Sequence, residues 1–243
     1  MSHYNVECVV LKSTNYQDAD KIFVFFGKNK GKFSAVAKGV RKISSRRSGN
    51  LDILNHVVLG ISESSSGFKI VTEAKTIDSF LPLKKSMEGL VYGYYVLELV
   101  YRLLEEGVAD DKIFNLLTTV LRNMAQDGAT ALSEMVLFEV GFIEALGYGM
   151  TLDRCVVCGR LYDGSWSKCR FKAEVGGFVC DRCSGGILLS GESSAFLYSV
   201  KLKDISAAAF LPATILEADR LIGLYLRNIL ESDIRTYSFF QTP

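Results

Sequence analysis

Proline is scarce in this chain, three among 243 residues, at Pro82, Pro212 and Pro243, so long Pro-rich linkers are excluded. Histidine is scarcer: only His3, in a tail, and His56, in or beside an expected strand. Neither has a Ser or Cys partner in local sequence, so His-based catalysis or a His-rich metal site lacks its parts. No uncharged apolar stretch approaches the ~18–20 residues of a membrane helix. The longest, Gly89–Leu97 and Ile205–Leu216, read as buried segments of a soluble core. Met1-Ser2-His3-Tyr4-Asn5 lacks the basic start and apolar run of an export signal, and a cytosolic protein is expected. GxGxxG and GxSxG are missing. The segment Gly27-Lys28-Asn29-Lys30-Gly31 has three residues between its glycines where a phosphate loop has four, and Phe33 stands where Ser or Thr would bind magnesium. It reads as a hairpin turn. Asp18 and Asp20 flank a strand start, and a solvated turn explains them more simply than a metal pair. Enzymatic chemistry is not expected.

What is present is an ordinary globular composition, 49% hydrophobic and 23% charged, with a net charge of only +1. The charge is unevenly spread. Residues 1–80 hold 12 Lys and Arg against 7 Asp and Glu, and the remainder holds 16 against 20. A basic front on a mildly acidic back points to an anionic partner for one module.

Residues 1–80 read as five short strands: Asn5–Lys12, Lys21–Phe26, Lys32–Lys38, Ile53–Ile61 and Phe68–Ile77. Polar turns separate them and no 3.6-residue period runs through them, which predicts a small sheet closed into a barrel. Leu81-Pro82-Leu83 marks a boundary, because proline disfavours helix in the residue before it. The period then becomes helical over Ser86–Glu106, Asp111–Ala125, Ser133–Leu146 (Ser133 as N-cap), Ser193–Ser199 and Thr214–Ser232. The division expected is 1–80 and 81–243, an α+β chain whose second part is all-α apart from a cysteine module at about 153–186.

That module carries Cys155-Val-Val-Cys158-Gly159 and Cys180-Asp-Arg-Cys183-Ser-Gly185, with 21 residues between the pairs. A CxxC knuckle delivers two sulfurs to one metal, and two knuckles complete the tetrahedron zinc prefers. Four sulfurs leave no open coordination position, so the predicted zinc is structural. Cys169, between the pairs, is either a substitute ligand or a small residue in the hairpin. Cys8 reads as a buried small hydrophobe.

From Lys21 to Arg47 there are nine basic residues and no acidic one. Lys30, Lys32, Lys38, Arg41, Lys42, Arg46 and Arg47 are the candidate nucleic-acid contacts, interleaved in part with Phe23, Phe25 and Phe33. A single-strand groove needs cations for phosphates and aromatic faces for bases. If about five of these cations meet phosphates, the log–log salt slope for single strands is roughly −3.5. The plainer reading is a solvated basic face over a Phe-rich core, since one face of each strand must be buried. For the loop Lys38–Arg47 nucleic acid is favoured, because crowded like charges repel unless an anion meets them.

The order of these parts carries a resemblance. Ala35-Val36-Ala37-Lys38-Gly39-Val40-Arg41-Lys42, then helices, then Leu146-Gly147-Tyr148 followed by Leu152-Asp153-Arg154-Cys155-Val156-Val157-Cys158-Gly159, resembles the bacterial RecO family of DNA repair proteins over nearly the whole chain. The resemblance implies an OB-fold first domain and a helical second domain with a zinc insertion. It also implies a recombination mediator that binds single- and double-stranded DNA, anneals complementary strands, and helps RecA replace single-strand-binding protein. RecR and the acidic, apolar tail of single-strand-binding protein are the implied partners. By position, Lys38, Arg41 and Lys42 fall in the basic motif, which Arg46 and Arg47 extend, and Cys155, Cys158, Cys180 and Cys183 fall on the zinc pattern. The alternatives are a protein adaptor whose basic face meets an acidic partner, or a zinc-ribbon transcription regulator.

Overall fold

The structure is a computed structural model and describes residues 1–42, 45, 47–202 and 210–230. It divides into two compact units, Met1–Gln126 and Asp127–Pro243.

The first unit opens with β1 (Ser2–Tyr16), β2 (Asp20–Gly27), β3 (Gly31–Ala37), β4 (His56–Glu63) and β5 (Lys69–Asp78). They close into a barrel in the order β1-β2-β3-β5-β4. β1 serves two neighbours: Ser2–Val9 pairs with β4 and Cys8–Tyr16 with β2, with a bulge between Val10 and Lys12. A single parallel bridge, Val36 to Ile70, closes β3 on β5. The strands alternate because a closed sheet has one inside face. Val6, Cys8, Val10, Phe23, Phe25, Phe33, Ala35 and Ala37 fill it. Phe23, Phe25 and Phe33 are therefore core and no stacking platform: they are 2%, 0% and 6% exposed, with ring centroids 5.8 and 5.3 Å apart along the series. Cys8 is buried among them as expected.

Three helices complete this unit: α1 (Leu81–Lys85), α2 (Met87–Leu103) and α3 (Asp111–Gln126). The compact unit thus runs well past the strand-to-helix change at residue 80. Pro82 does not hold helix off: it sits in the first turn of α1, where its missing N–H costs nothing, the preceding Leu81 is already helical, and the N-cap Phe80 takes a left-handed φ of 46°. Ser86 caps α2 by accepting from the Gly89 amide. Gly31 shows why the β2–β3 tip needs glycine twice over. Its φ is +64°, and a Cβ there would lie 2.3 Å from the Val108 carbonyl oxygen. Phe114 of α3 packs on Phe26 and on the ring of His56, centroids 5.8 and 5.7 Å away.

The second unit is not all-α. It holds α4 (Ala131–Ala145), then β6 (Thr151–Cys155), β7 (Cys169–Lys172), β8 (Gly177–Val179) and β9 (Ile187–Leu189), then α5 (Gly191–Leu202) and α6 (Pro212–Leu230). The four strands form one sheet ordered β6-β8-β7-β9. Strands of three to five residues leave little periodicity to read, which is why the cysteine spacing shows in the sequence and the sheet does not. Ser133 is not the cap of α4: the helix starts two residues earlier, and Ser133 is buried with its hydroxyl donating to the Thr130 carbonyl. Among the described residues no helix is long and apolar enough to cross a membrane.

Candidate metal centre and nucleic-acid interface

Cys155 ends β6 and Cys158 follows on the first knuckle; Cys180 follows β8 and Cys183 lies on the second. The knuckles are held by backbone bonds, Gly159 N to Cys155 O at 2.9 Å and Cys183 N to Cys180 O at 3.1 Å. Gly159 has φ +75°, so the first turn closes without a Cβ penalty. The four Sγ atoms lie within 4.8 Å of one another, and Cys158 and Cys180 are 3.7 Å apart. A regular tetrahedron with sulfurs at about 2.3 Å from a zinc ion needs edges of about 3.8 Å, so the donor set fits such an ion. Burial pushes the Cys155 thiol up. The amides of Cys180, Cys158 and Val157 and the Cys158 thiol more than offset this and bring it down to about 6. Cys169 stands apart from this cluster on β7, with its Sγ 3.9 Å from the Arg170 carbonyl. Burial, with Cys155 and Cys180 nearby, pushes its thiol up to about 12, the behaviour of an inert buried thiol. An outer strap escaped sequence reading: Asp181 takes the Arg160 guanidinium at 2.8 Å and the Ser167 amide and hydroxyl at 3.0 Å each, while Arg160 lies over Trp166. Its signal in the sequence was only an acid inside the second CxxC.

The basic stretch divides into separate places. Lys38, Arg41 and Lys42 follow β3 and are exposed. Arg47 lies in the same loop, but its guanidinium is spent on the fold, donating to the Val71 carbonyl at 2.6 Å and the Lys38 carbonyl at 2.8 Å. That strap ties the loop to β5. Arg46 lies outside the described residues. Lys30 and Lys32 belong to the other end of β3, where six residues of strand, about 20 Å, separate Lys32 from Lys38. Lys30 sits over the Tyr4 ring at 4.5 Å. Lys32 donates to the Tyr101 carbonyl at 2.6 Å, so its charge serves the contact between β3 and α2. Of the seven candidate contacts, Lys38, Arg41 and Lys42 stand together and exposed after β3, with Arg47 beside them, and Lys30 is exposed near the other end of the strand.

The loop after β3 is anchored on the β1–β2 turn. The Gly39 amide donates to Asp20 Oδ1 at 2.7 Å, the Arg41 amide to the Ala19 carbonyl at 3.0 Å, and the Arg41 guanidinium to the Asp18 carbonyl at 3.2 Å. Between turn and loop lies a concavity of about 760 Å³. The exposed aromatics of the barrel are Tyr16, 39% exposed and opposite Asp20 in the β1–β2 register, and Phe68, 47% exposed and two residues before Ile70. Neither was singled out from the sequence, because both sit at turn edges where no period marks which side faces water. Phe68 does open the fifth predicted strand.

The family model described as Recombination protein O N terminal matches residues 1–80, and that described as Recombination protein O C terminal matches residues 85–238. The chain belongs to the RecO family. It is similar to proteins named DNA repair protein RecO from several bacteria. One from Roseiflexus sp. (strain RS-1) is 30% identical over 97% of this chain and 84% of its own length. One from Alkaliphilus metalliredigens is 28% identical over 95% and 90%, and one from Geobacter sulfurreducens is 30% identical over 93% and 94%. The seam between the two RecO family matches, residues 80–85, coincides with the change from strand to helix, while the first compact unit extends to Gln126.

Proposed function

We propose that this chain is a non-catalytic DNA-repair and recombination mediator that binds single- and double-stranded DNA through its barrel and anneals complementary strands. Membership of the RecO family supports the repair and recombination role. The observation that carries the DNA contact is the exposed trio Lys38, Arg41 and Lys42, pinned by backbone bonds onto the β1–β2 turn of a closed five-stranded barrel. The strand order 1-2-3-5-4 closing on β1 is that of an OB-fold, whose β2–β3 face and β1–β2 and β4–β5 loops take oligonucleotides. Tyr16 and Phe68 supply exposed rings on which bases stack, in place of the buried phenylalanines. Cations on one surface neutralise phosphates of two strands, lower their mutual repulsion and let complementary bases meet. The reading requires no bond to be made or broken in the DNA.

Zinc is the metal that Cys155, Cys158, Cys180 and Cys183 would hold, and its chemistry there is structural, cross-linking two knuckles of a small sheet. Partnership with RecR, with the tail of single-strand-binding protein and through them with RecA rests on the resemblance. So does placement in the cytoplasm at the nucleoid. The test is a titration of the full chain with single-stranded oligonucleotides of varied sequence across salt concentrations. Binding to all of them that weakens steeply with salt is expected; no binding in dilute buffer refutes the proposal, and an adaptor or a promoter-specific regulator then takes its place.

A further inference from the structure

The concavity between the β1–β2 turn and the loop after β3 has a lining of mixed sign. The turn contributes Gln17, Asp18 and Asp20 to it, and the loop contributes Lys38, Lys42, Ser45 and Arg47. Among the described residues, no ion pair joins either aspartate to any of these cations. Arg47 is spent on carbonyls and one oxygen of Asp20 on the Gly39 amide, which leaves the Asp18 carboxylate and the Lys38 and Lys42 ammonium groups to a ligand. A bare phosphate meets two carboxylates that repel it, and a divalent cation meets three positive side chains. A volume of about 760 Å³ lies in the range of sites for small organic groups.

We infer that this concavity takes one unpaired nucleotide of a bound strand, its phosphate on Lys38 and Lys42 and the N–H edge of its base on Asp18 and Asp20. The inference rests on the nucleic-acid reading above and names what that surface prefers. One oxygen of Asp20 already accepts from Gly39, and the backbone carbonyl of Asp18 accepts from Arg41. The turn is thus fixed while the Asp18 carboxylate stays available. A carboxylate accepts two parallel N–H donors well. Guanine presents two on its Watson–Crick edge, the ring N–H and the 2-amino group. Thymine presents one, flanked by carbonyls that a carboxylate repels. Base pairing hides that edge, so the contact selects unpaired strands and is surrendered when the complement arrives.

The experiment measures anisotropy of the full chain at low salt with labelled oligo-dT of about fifteen residues, carrying at its centre dT, dG or deoxyinosine, which lacks the 2-amino group. The expected order is dG, then deoxyinosine, then dT, with dG about fivefold tighter than dT, the low end for a two-point contact. In Asp18→Asn the preference for dG over dT falls below twofold. Equal binding of all three by the parent chain overturns the inference and leaves the nucleic-acid reading standing. So does a uniform rise in Asp18→Asn with the preference kept, the behaviour of a merely solvated acid. Absence of binding to any strand overturns both.

Discussion

Replacing Lys38, Arg41 and Lys42 together by glutamine removes the described cations that the fold leaves exposed after β3. Their side chains hold little else. Among the described residues their one side-chain bond is that of the Arg41 guanidinium to the Asp18 carbonyl, an exposed contact at 3.2 Å. The triple variant should therefore unfold within about 0.5 kcal/mol of the parent. Each phosphate neutralised on a single strand contributes about 0.7 to the log–log salt slope, so three contacts contribute about 2. Measured against 1 M salt, where this contribution vanishes, the triple variant should bind about 500-fold more weakly at 0.05 M and about 30-fold more weakly at 0.2 M. Anisotropy titrations with an oligo-dT strand at four salt concentrations read both the slope and the intercept. A slope unchanged by the triple substitution refutes the assignment even if affinity drops, because only lost phosphate contacts alter the salt exponent.

The neighbouring Arg47 should behave oppositely. Arg47→Gln removes two charge-assisted bonds to carbonyls, and about 2 kcal/mol of stability should go with them after allowance for their partial exposure. Arg47→Lys should restore the charge but not the urea midpoint, because an ammonium cannot span two carbonyls as the guanidinium fork does; full recovery by lysine would refute the strap. Elemental analysis should find one zinc per chain, lost in Cys158→Ser, and chelation should lower the unfolding temperature of the second unit. Cys158 is exposed, so its substitution reports the metal rather than a packing defect; a zinc-free parent chain would refute the site. His56 adds a pH dependence. Burial holds its pKa below the ordinary 6.5, against the raising effect of Glu7 at 2.9 Å. The unfolded chain then takes up the proton more readily, so stability is full above about pH 6.5 and falls as pH drops toward the folded value. His56→Gln should flatten that part of the urea-midpoint profile between pH 7.5 and 5.5, and an identical slope in both proteins would refute it.

Much of this was legible in the sequence where one physical constraint acts alone. Four thiolates at CxxC spacing have one common use, and the four sulfurs do converge. The strand-rich front was legible because a closed barrel imposes an inside and an outside on every strand. Phe23, Phe25 and Phe33 suit a stacking face by type and a core by alternation, and the closure of the sheet decides for the core. Pro82 could end one element or begin another, and its place in the first turn of α1, just after the N-cap Phe80, makes it a beginning. The short strands β7, β8 and β9 carried no readable period, so the sheet around the cysteines had to come from the structure.

The basic stretch shows that a count of charges does not say what each cation does in the fold. Lysine and arginine are at once phosphate ligands and the longest hydrogen-bond donors available for tying loops to carbonyls. In this barrel Lys32 reaches the Tyr101 carbonyl and Arg47 reaches two carbonyls beside the very loop that carries the exposed cations. Neither fate is written in the residue type, nor in the spacing. The strap and the exposed trio depend on each other, since Lys38 offers its carbonyl to Arg47 while its ammonium stays in solvent. A loop crowded with like charges repels itself. Committing one guanidinium to backbone oxygens ties Lys38 to β5 and leaves the side chains of Lys38, Arg41 and Lys42 exposed.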